Sequence, residues 1–587
     1  KTLHNEQRHA PDCTIITFPH SAKTMKLHIP IIHWSVVLVA CCWQLSIVNA
    51  CTPPLVVKGK KFFNSETGEY FPVKGINYYP RPNAGELGTG GSRDYFTEEM
   101  RPIWERDVEH FKALGVNAIR LYAVDPSQNH EAFMCALQEA GIYVMIGLAA
   151  SCENCAITED ESPACYPAEL KTRGQDIINT FSKYPNIMAF DAGNEINLVA
   201  PTQMPEWNAA CQKQFIRDMR AYISGCGETV MRQIPVGLVT ADVERSENAL
   251  YYGCQTVPGD ELETTQWYGT NTYVHCDGSA TSIDQLTGYQ NLLSDFGSYG
   301  LSYPVILTEF GCLNEGFPTL VGDDGMSYEA QRTWLQVEAL LDPQYEVEFN
   351  GGFVFEFSTE KVYSESTSDW PFNTYGPGNY GVGYYEPVDC DDETIPCSYV
   401  RFPQFDLLAQ KYAAANETTG RPTLDSYTPG AVSIPACPTN FPALDQFTWP
   451  SASVEDRVCW DDGGFQCPSC GGAPSGSSGG GSATASPAPA AATPSTAVPG
   501  TASSPKPSST MDMNVPTSPS ASLGNPTPSP ASSTRATKGP TTPSLTSAPI
   551  NLEDIPDSFL GTSGVCRLPR AVAVCSTLCI LIGMCFY

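Results

Sequence analysis

Residues 187–198 read "IMAFDAGNEINL". The opening half is short, continuous and apolar, as in a strand buried on both faces, and it runs straight into Asn194 and Glu195. Seven other runs resemble it: "PVKGINYY" (72–79), "NAIRLY" (117–122), "IYVMIGLA" (142–149), "PVGLVTAD" (235–242), "TQWYGTNTYV" (265–274), "PVILTEFG" (304–311) and "GGFVFEFS" (351–358). Amphipathic stretches fall between most of them. In "EEMRPIWERDVEHFKALG" (98–115), Ile103, Trp104, Val108, Phe111 and Leu114 recur at helical spacing and Gly115 stops the helix. Similar patterns cover 131–140, 171–183, 214–223, 282–296 and 327–341. Buried strands alternating with helices indicate a parallel sheet under helices. Eight such units over about 300 residues predict a closed α/β barrel, the (β/α)8 TIM barrel, rather than an open doubly wound sheet.

Such a barrel performs its chemistry at the C-terminal ends of its strands. There Glu195 closes the fourth strand and Glu309 the seventh, Arg120 and Tyr122 the second, Tyr273 the sixth and Tyr79 the first. One glutamate at a strand end is ordinarily a solvated loop residue. Two facing one mouth suit cleavage of a glycosidic bond, which needs a protonated carboxyl for the leaving oxygen and an ionised one for the anomeric carbon. A gap of about 5 to 5.5 Å between them gives retention through a covalent intermediate, and a wider one inversion. Tyr122 and Tyr273 also have a plain reading as barrel-mouth packing, and Arg120 as the neutraliser of a neighbouring carboxylate.

The rest of the chain limits where such a barrel works. Residues 1–24 read as an upstream extension, and 25–50 ("MKLHIPIIHWSVVLVACCWQLSIVNA") as a signal peptide ending in Val48-Asn49-Ala50. Residues 51–440 then form the catalytic domain, 441–470 a short Cys-containing extension, and 471–560 a linker of Ser, Thr, Pro and Ala. That linker suits either an O-glycosylated stalk or a bare disordered tether. Residues 561–587 read as a GPI-anchor signal, with Gly561, Ser563 or Gly564 as the lipidation position before the apolar "AVAVCSTLCILIGMCFY". The alternative, a tail anchor, leaves only those 17 residues to span the bilayer.

Discarding both signals leaves 16 of the 23 cysteines, an even number in an oxidising compartment, which points to disulfides. "CENC" (152–155) and "CPSC" (467–470) read as cystines rather than metal sites, because only His110, His130 and His275 remain to complete one. No metal and no cofactor is expected. A net charge of −31 argues against a nucleic-acid partner. "GELGTGG" (85–91) lacks the lysine and helix of a phosphate loop. Asn416 in "NET" is the one sequon with a non-proline middle residue.

Taken together, "AGNE" (192–195), "TEFGC" (308–312), "NAIRLY", "YGTNTYVHC" (268–276) and "GGFVFEF" resemble the fungal cell-wall β-1,3-glucanosyltransferases, glycoside hydrolase family 72, over about Cys51 to Cys437. The resemblance implies that Glu195 is the acid/base and Glu309 the nucleophile. It also implies that Asn194 holds a sugar 2-hydroxyl, that Tyr273 bonds the nucleophile and that Tyr122 lines the donor groove; Arg120 and Tyr79 complete the expected substrate contacts. The implied partners are a β-1,3-glucan donor and acceptor, and the plasma membrane through a GPI anchor, for an extracellular monomer. A hydrolase on a related barrel and a non-catalytic glucan-binding protein are the competing readings. The family's disulfides imply Cys276–Cys312 and Cys254–Cys437. Its early cystine does not carry over, since Trp104 and Phe133 stand there and Cys135 sits two residues late. "SCENCAITEDESPAC" (151–165) adds three cysteines instead, so local rewiring is expected. "GLAAS" and "NYYPR" stand where the family has "DLAAP" and "AYQ", which bears on subsite contacts. Cys459, Cys467 and Cys470 are too few for a Cys-rich carbohydrate-binding module.

Overall fold

Each apolar run becomes a strand: β1 (Val73–Asn77), β2 (Ala118–Leu121), β3 (Tyr143–Gly147), β4 (Ile187–Asn194), β5 (Val236–Ala241), β6 (Tyr268–Asn271), β7 (Val305–Phe310) and β8 (Phe349–Val354). In this computed structural model, which describes residues 51–88, 92–199, 204–274, 278–417, 419–460, 465–468 and 470, they pair in parallel and in chain order. Closure comes from β8 pairing with β1, in register Gly351 to Val73. A Cβ at Gly351, where φ is +79°, would lie 2.1 Å from the Val73 carbonyl oxygen, so only glycine permits that closing contact. The segments proposed as upstream extension, signal peptide and GPI signal, with residues 471–560, lie outside the described residues.

A helix follows each strand: α1 (Arg101–Leu114), α2 (Glu131–Glu139), α3 (Ala168–Phe181), α4 (Ala209–Cys226), α5 (Arg245–Gly253), α6 (Thr287–Tyr299), α7 (Leu335–Leu340) and α8 (Pro403–Ala414). The face of α1 is the expected one, Ile103, Trp104, Val108, Phe111 and Leu114 being buried, with Gly115 left-handed at its end. Fully burying a side chain such as Phe111 contributes about 1.5–3 kcal/mol. The apolar stripe of α5 is carried by Tyr251 and Tyr252 rather than by aliphatics, which hides its period.

The predicted helix over 327–341 is corrected. Ser327–Tyr328 pairs with Leu320–Val321 in a small hairpin, and helix begins only at Leu335. Ala330 and Trp334 have positive φ (51° and 59°), which no α-helix contains. Arg332, lying between them, sends its guanidinium inward to the Gly311 and Phe355 carbonyls (2.6 and 2.9 Å) and outranks the local helical pattern.

Two apolar layers result. Inside the barrel Val73, Ala118, Met145, Met188, Val239 and Phe353 meet, closed at the N-terminal end by Leu55 and Phe62 of a hairpin that precedes β1. A larger layer lies between strands and helices. Phe441, Leu444 and Trp449 join it, so the segment after residue 440 packs against the barrel. The same segment is bridged to the barrel: Cys254–Cys437, Cys226–Cys459, Cys135–Cys467 and Cys51–Cys470. Cys152–Cys155, Cys165–Cys211 and Cys390–Cys397 are the remaining bridges with both cysteines described. "CPSC" thus supplies two long-range bridges and no internal one. Cys276 of the implied Cys276–Cys312 pair lies outside the described residues.

Candidate active site

Glu195 stands one residue beyond β4 with φ +53°, an uncommon conformation for a residue with a side chain. It is held there by its own backbone: its N–H donates to the Val239 carbonyl of β5 (2.8 Å) and its carbonyl accepts from Leu198 (2.9 Å). The side chain is only slightly exposed. Oε1 accepts from Asn271 Nδ2 (3.0 Å), whereas Oε2 is buried with no hydrogen-bond partner among the described residues. Burial, and then the nearby charge of Glu309, push the carboxyl up to about 8, against the opposing effects of Asn271 and Arg120. At neutral pH Glu195 therefore carries a proton in a position to give it away.

Glu309 lies within β7 and has both oxygens engaged. Oε1 accepts from Arg120 Nη1 (3.0 Å) and the Tyr122 hydroxyl (2.8 Å), and Oε2 from the Tyr273 hydroxyl (2.9 Å). Three donors from β2, the turn after it and the segment after β6 fix the direction in which this carboxylate faces. Burial opposes the charge on Arg120, but Tyr122, Asp191 and Glu309 outweigh it and hold the guanidinium protonated. Its other nitrogen donates to Asp191 Oδ2 (2.8 Å) and Asn194 Oδ1 (2.9 Å).

The two glutamates are joined through one relay. Arg120 bonds Glu309 and Asn194; Asn271 Nδ2 bonds both Asn194 (3.1 Å) and Glu195; Thr308 donates to Asn271 Oδ1 (2.9 Å). With its amide oxygen taken twice, Asn194 keeps its Nδ2 donor for a ligand. The structure thus brings Glu195, Glu309, Asn194, Arg120, Tyr122 and Tyr273 to one mouth. Tyr79, two residues beyond β1, is nearly buried: its ring meets Tyr95 edge-on at 5.0 Å, Arg81 lies over it at 5.3 Å, and its hydroxyl accepts from the Arg93 N–H (3.1 Å). Asn416 is exposed, its amide oxygen accepting from Lys74 Nζ (2.8 Å).

Asp191 and Asn271 are site residues that sequence reasoning passed over. Both sit inside quoted runs, and Asn271 ends β6 in the way that Glu195 follows β4; a polar residue at the end of a buried strand is the signal that finds it. Gly147 ends β3 under the Tyr122 backbone, where a Cβ would stand 2.8 Å from the Tyr122 carbonyl oxygen. The departure from "DLAAP" is therefore built into the backbone, since no side chain fits there without a shift.

Comparison with known proteins places the chain in a family. The profile of the family described as Glucanosyltransferase, glycoside hydrolase family 72, matches residues 44–364. The 1,3-beta-glucanosyltransferase gas5 of Schizosaccharomyces pombe is 31% identical over 411 residues, which are 70% of this chain and 69% of that protein. The 1,3-beta-glucanosyltransferase GAS5 of Saccharomyces cerevisiae is 34% identical over 318 residues, 53% of this chain and 57% of that protein. Among solved structures, a mutant Gas2p of Saccharomyces cerevisiae in its apo form aligns with a TM-score of 0.50 at 26% identity, covering 67% of this chain and 73% of that one.

Proposed function

Because the chain belongs to the glucanosyltransferase family, glycoside hydrolase family 72, we propose that it cleaves a β-1,3-glucan donor and transfers the newly exposed reducing end to a second glucan, with retention. The observation that carries this reading is the relay joining a protonated Glu195 to an oriented Glu309 across four strand ends. In the first half-reaction a Glu309 oxygen attacks the anomeric carbon, the glycosidic C–O bond breaks, and Glu195 delivers its proton to the departing oxygen. The glycosyl group is then an ester on Glu309 and Glu195 is ionised. In the second, Glu195 takes the proton of an incoming 3-hydroxyl, whose oxygen displaces Glu309. Asn194 Nδ2 is available to the 2-hydroxyl of the sugar that reacts, where hydrogen bonds strengthen in the transition state. Tyr122 and Tyr273 hold Glu309 while its charge leaves and returns.

The disulfides support an oxidising, extracellular destination. Attachment to the outer face of the plasma membrane, through Gly561, Ser563 or Gly564, is part of the same proposal. Incubating the protein with reduced laminari-oligosaccharides tests the reaction. Products longer than the donor are expected, and a mixture containing only shorter ones would convert the assignment to a hydrolase.

A further inference from the structure

Glu356 follows β8 by two residues, at the end of the barrel that carries Glu195 and Glu309. Its peptide is fixed on both sides, the N–H donating to the Tyr380 carbonyl (3.1 Å) and the carbonyl accepting from Val382 (2.9 Å). The residue is 7% exposed, and among the described residues no donor lies within hydrogen-bonding distance of its carboxyl group. Both neighbouring cations are occupied elsewhere. Arg81 pairs with Glu360 at 3.4 Å, and Arg332 spends its donors on the Gly311, Phe355 and Tyr380 carbonyls and on Gln404. Burial, then the charges of Glu360 and Glu309, push Glu356 well above the usual carboxylate range. When it holds a proton, a carboxyl group is one donor and one acceptor, and neither is used here among the described residues.

A carboxyl group on a nearly buried residue that makes no hydrogen bond among the described residues calls for an explanation, and at an active-site mouth a ligand supplies one. A sugar hydroxyl both donates and accepts, so it matches a neutral carboxyl group atom for atom. Phe355 and Tyr380, in edge contact at 5.4 Å beside Glu356, provide aromatic surface next to it. We propose that Glu356 is a further substrate-binding residue, its carboxyl group exchanging hydrogen bonds with a glucan hydroxyl on the β8 side of the mouth. This assignment rests on the glucan reading above.

The test is titration calorimetry of laminaripentaose into the wild-type protein, Glu356→Gln and Glu356→Leu. The amide keeps a donor and an acceptor in the same shape, so Glu356→Gln is expected to bind within about twofold of wild type. Glu356→Leu, which offers neither, is expected to raise Kd about tenfold. Wild-type affinity in Glu356→Leu overturns the assignment, and so does Glu356→Gln binding as weakly as Glu356→Leu. If the wild type elongates oligosaccharides while the Leu variant binds normally, only this inference fails. If the wild type binds no laminaripentaose, the inference and the glucan reading fall together.

Discussion

The two ends of the barrel bury charge in opposite ways. At the N-terminal end, just before β8, Arg421 forks onto Glu346 (2.6 Å at the shortest) and Lys61 Nζ donates to the Glu346 carbonyl (2.6 Å), while Lys60 pairs with Glu348. Each buried charge there has an opposite charge or a carbonyl in contact. At the mouth, Arg120 is divided between Asp191 and Glu309, while one oxygen of Glu195 and the carboxyl group of Glu356 have no donor among the described residues. Answered charge holds a fold in one arrangement. Charge or polarity left unanswered costs stability and remains free to act on something that arrives.

Replacing the nucleophile separates the two ends most sharply. Glu309→Gln removes the attacking oxygen and is expected to lower the rate of glucan elongation at least ~10³-fold, as an essential covalent residue should. Its melting temperature should change little, since the amide keeps the size and the acceptor oxygen facing Arg120. A variant that still elongates at more than about a tenth of the wild-type rate places the covalent step elsewhere.

At the other end the expectation reverses. Arg421→Met leaves Glu346 buried and unpaired, and breaking such a pair typically costs about 3–5 kcal/mol of folding stability. Denaturant unfolding reads that loss directly. The turnover of the molecules that remain folded should stay within about twofold of wild type, and a large fall in turnover at unchanged stability would mean that the floor reaches the chemistry. The double variant Arg421→Met with Glu346→Leu should recover much of the loss, because removing both charges leaves neither stranded.

The barrel is legible in the sequence because a strand buried on both faces has few polar residues to interrupt it, and because glycine and proline bound most of the eight runs. Glu195 and Glu309 are legible for the same reason in reverse, as carboxylates at the ends of runs that otherwise exclude them. Asn271 is harder to read, since an asparagine at a strand end looks like an ordinary turn residue until Glu195 and Asn194 are known to flank it. Glu356 is hidden inside "FEF", where alternation alone assigns it to one face of a strand that in fact has ended at Val354. Arg332 lies in a stretch whose spacing suggests helix, and only carbonyls distant in sequence explain why the chain departs from it. Local pattern encodes the scaffold; partners more than about twenty residues away decide the rest.

Glu195 joins the two lessons in one residue. Folded, it keeps its proton up to about pH 8, whereas an ordinary glutamate, as in the unfolded chain, releases it near 4.5. The folded state is therefore the better proton binder between these values. Its stability from this group is complete below about 4.5 and is lost as the pH rises towards 8, above which a buried, ionised Glu195 faces Glu309. Glu195→Gln cannot ionise, so it should be more stable than wild type at pH 8.5 and nearly equal to it at pH 4. Melting curves at the two pH values measure the gap, and a gap that stays constant with pH removes Glu195 from the role of proton holder. The same group sets the rate: wild-type elongation should fall as the pH passes about 8, because a general acid without its proton cannot assist the leaving oxygen. Stability gained and activity lost at one position is what an unanswered carboxyl group at the mouth requires.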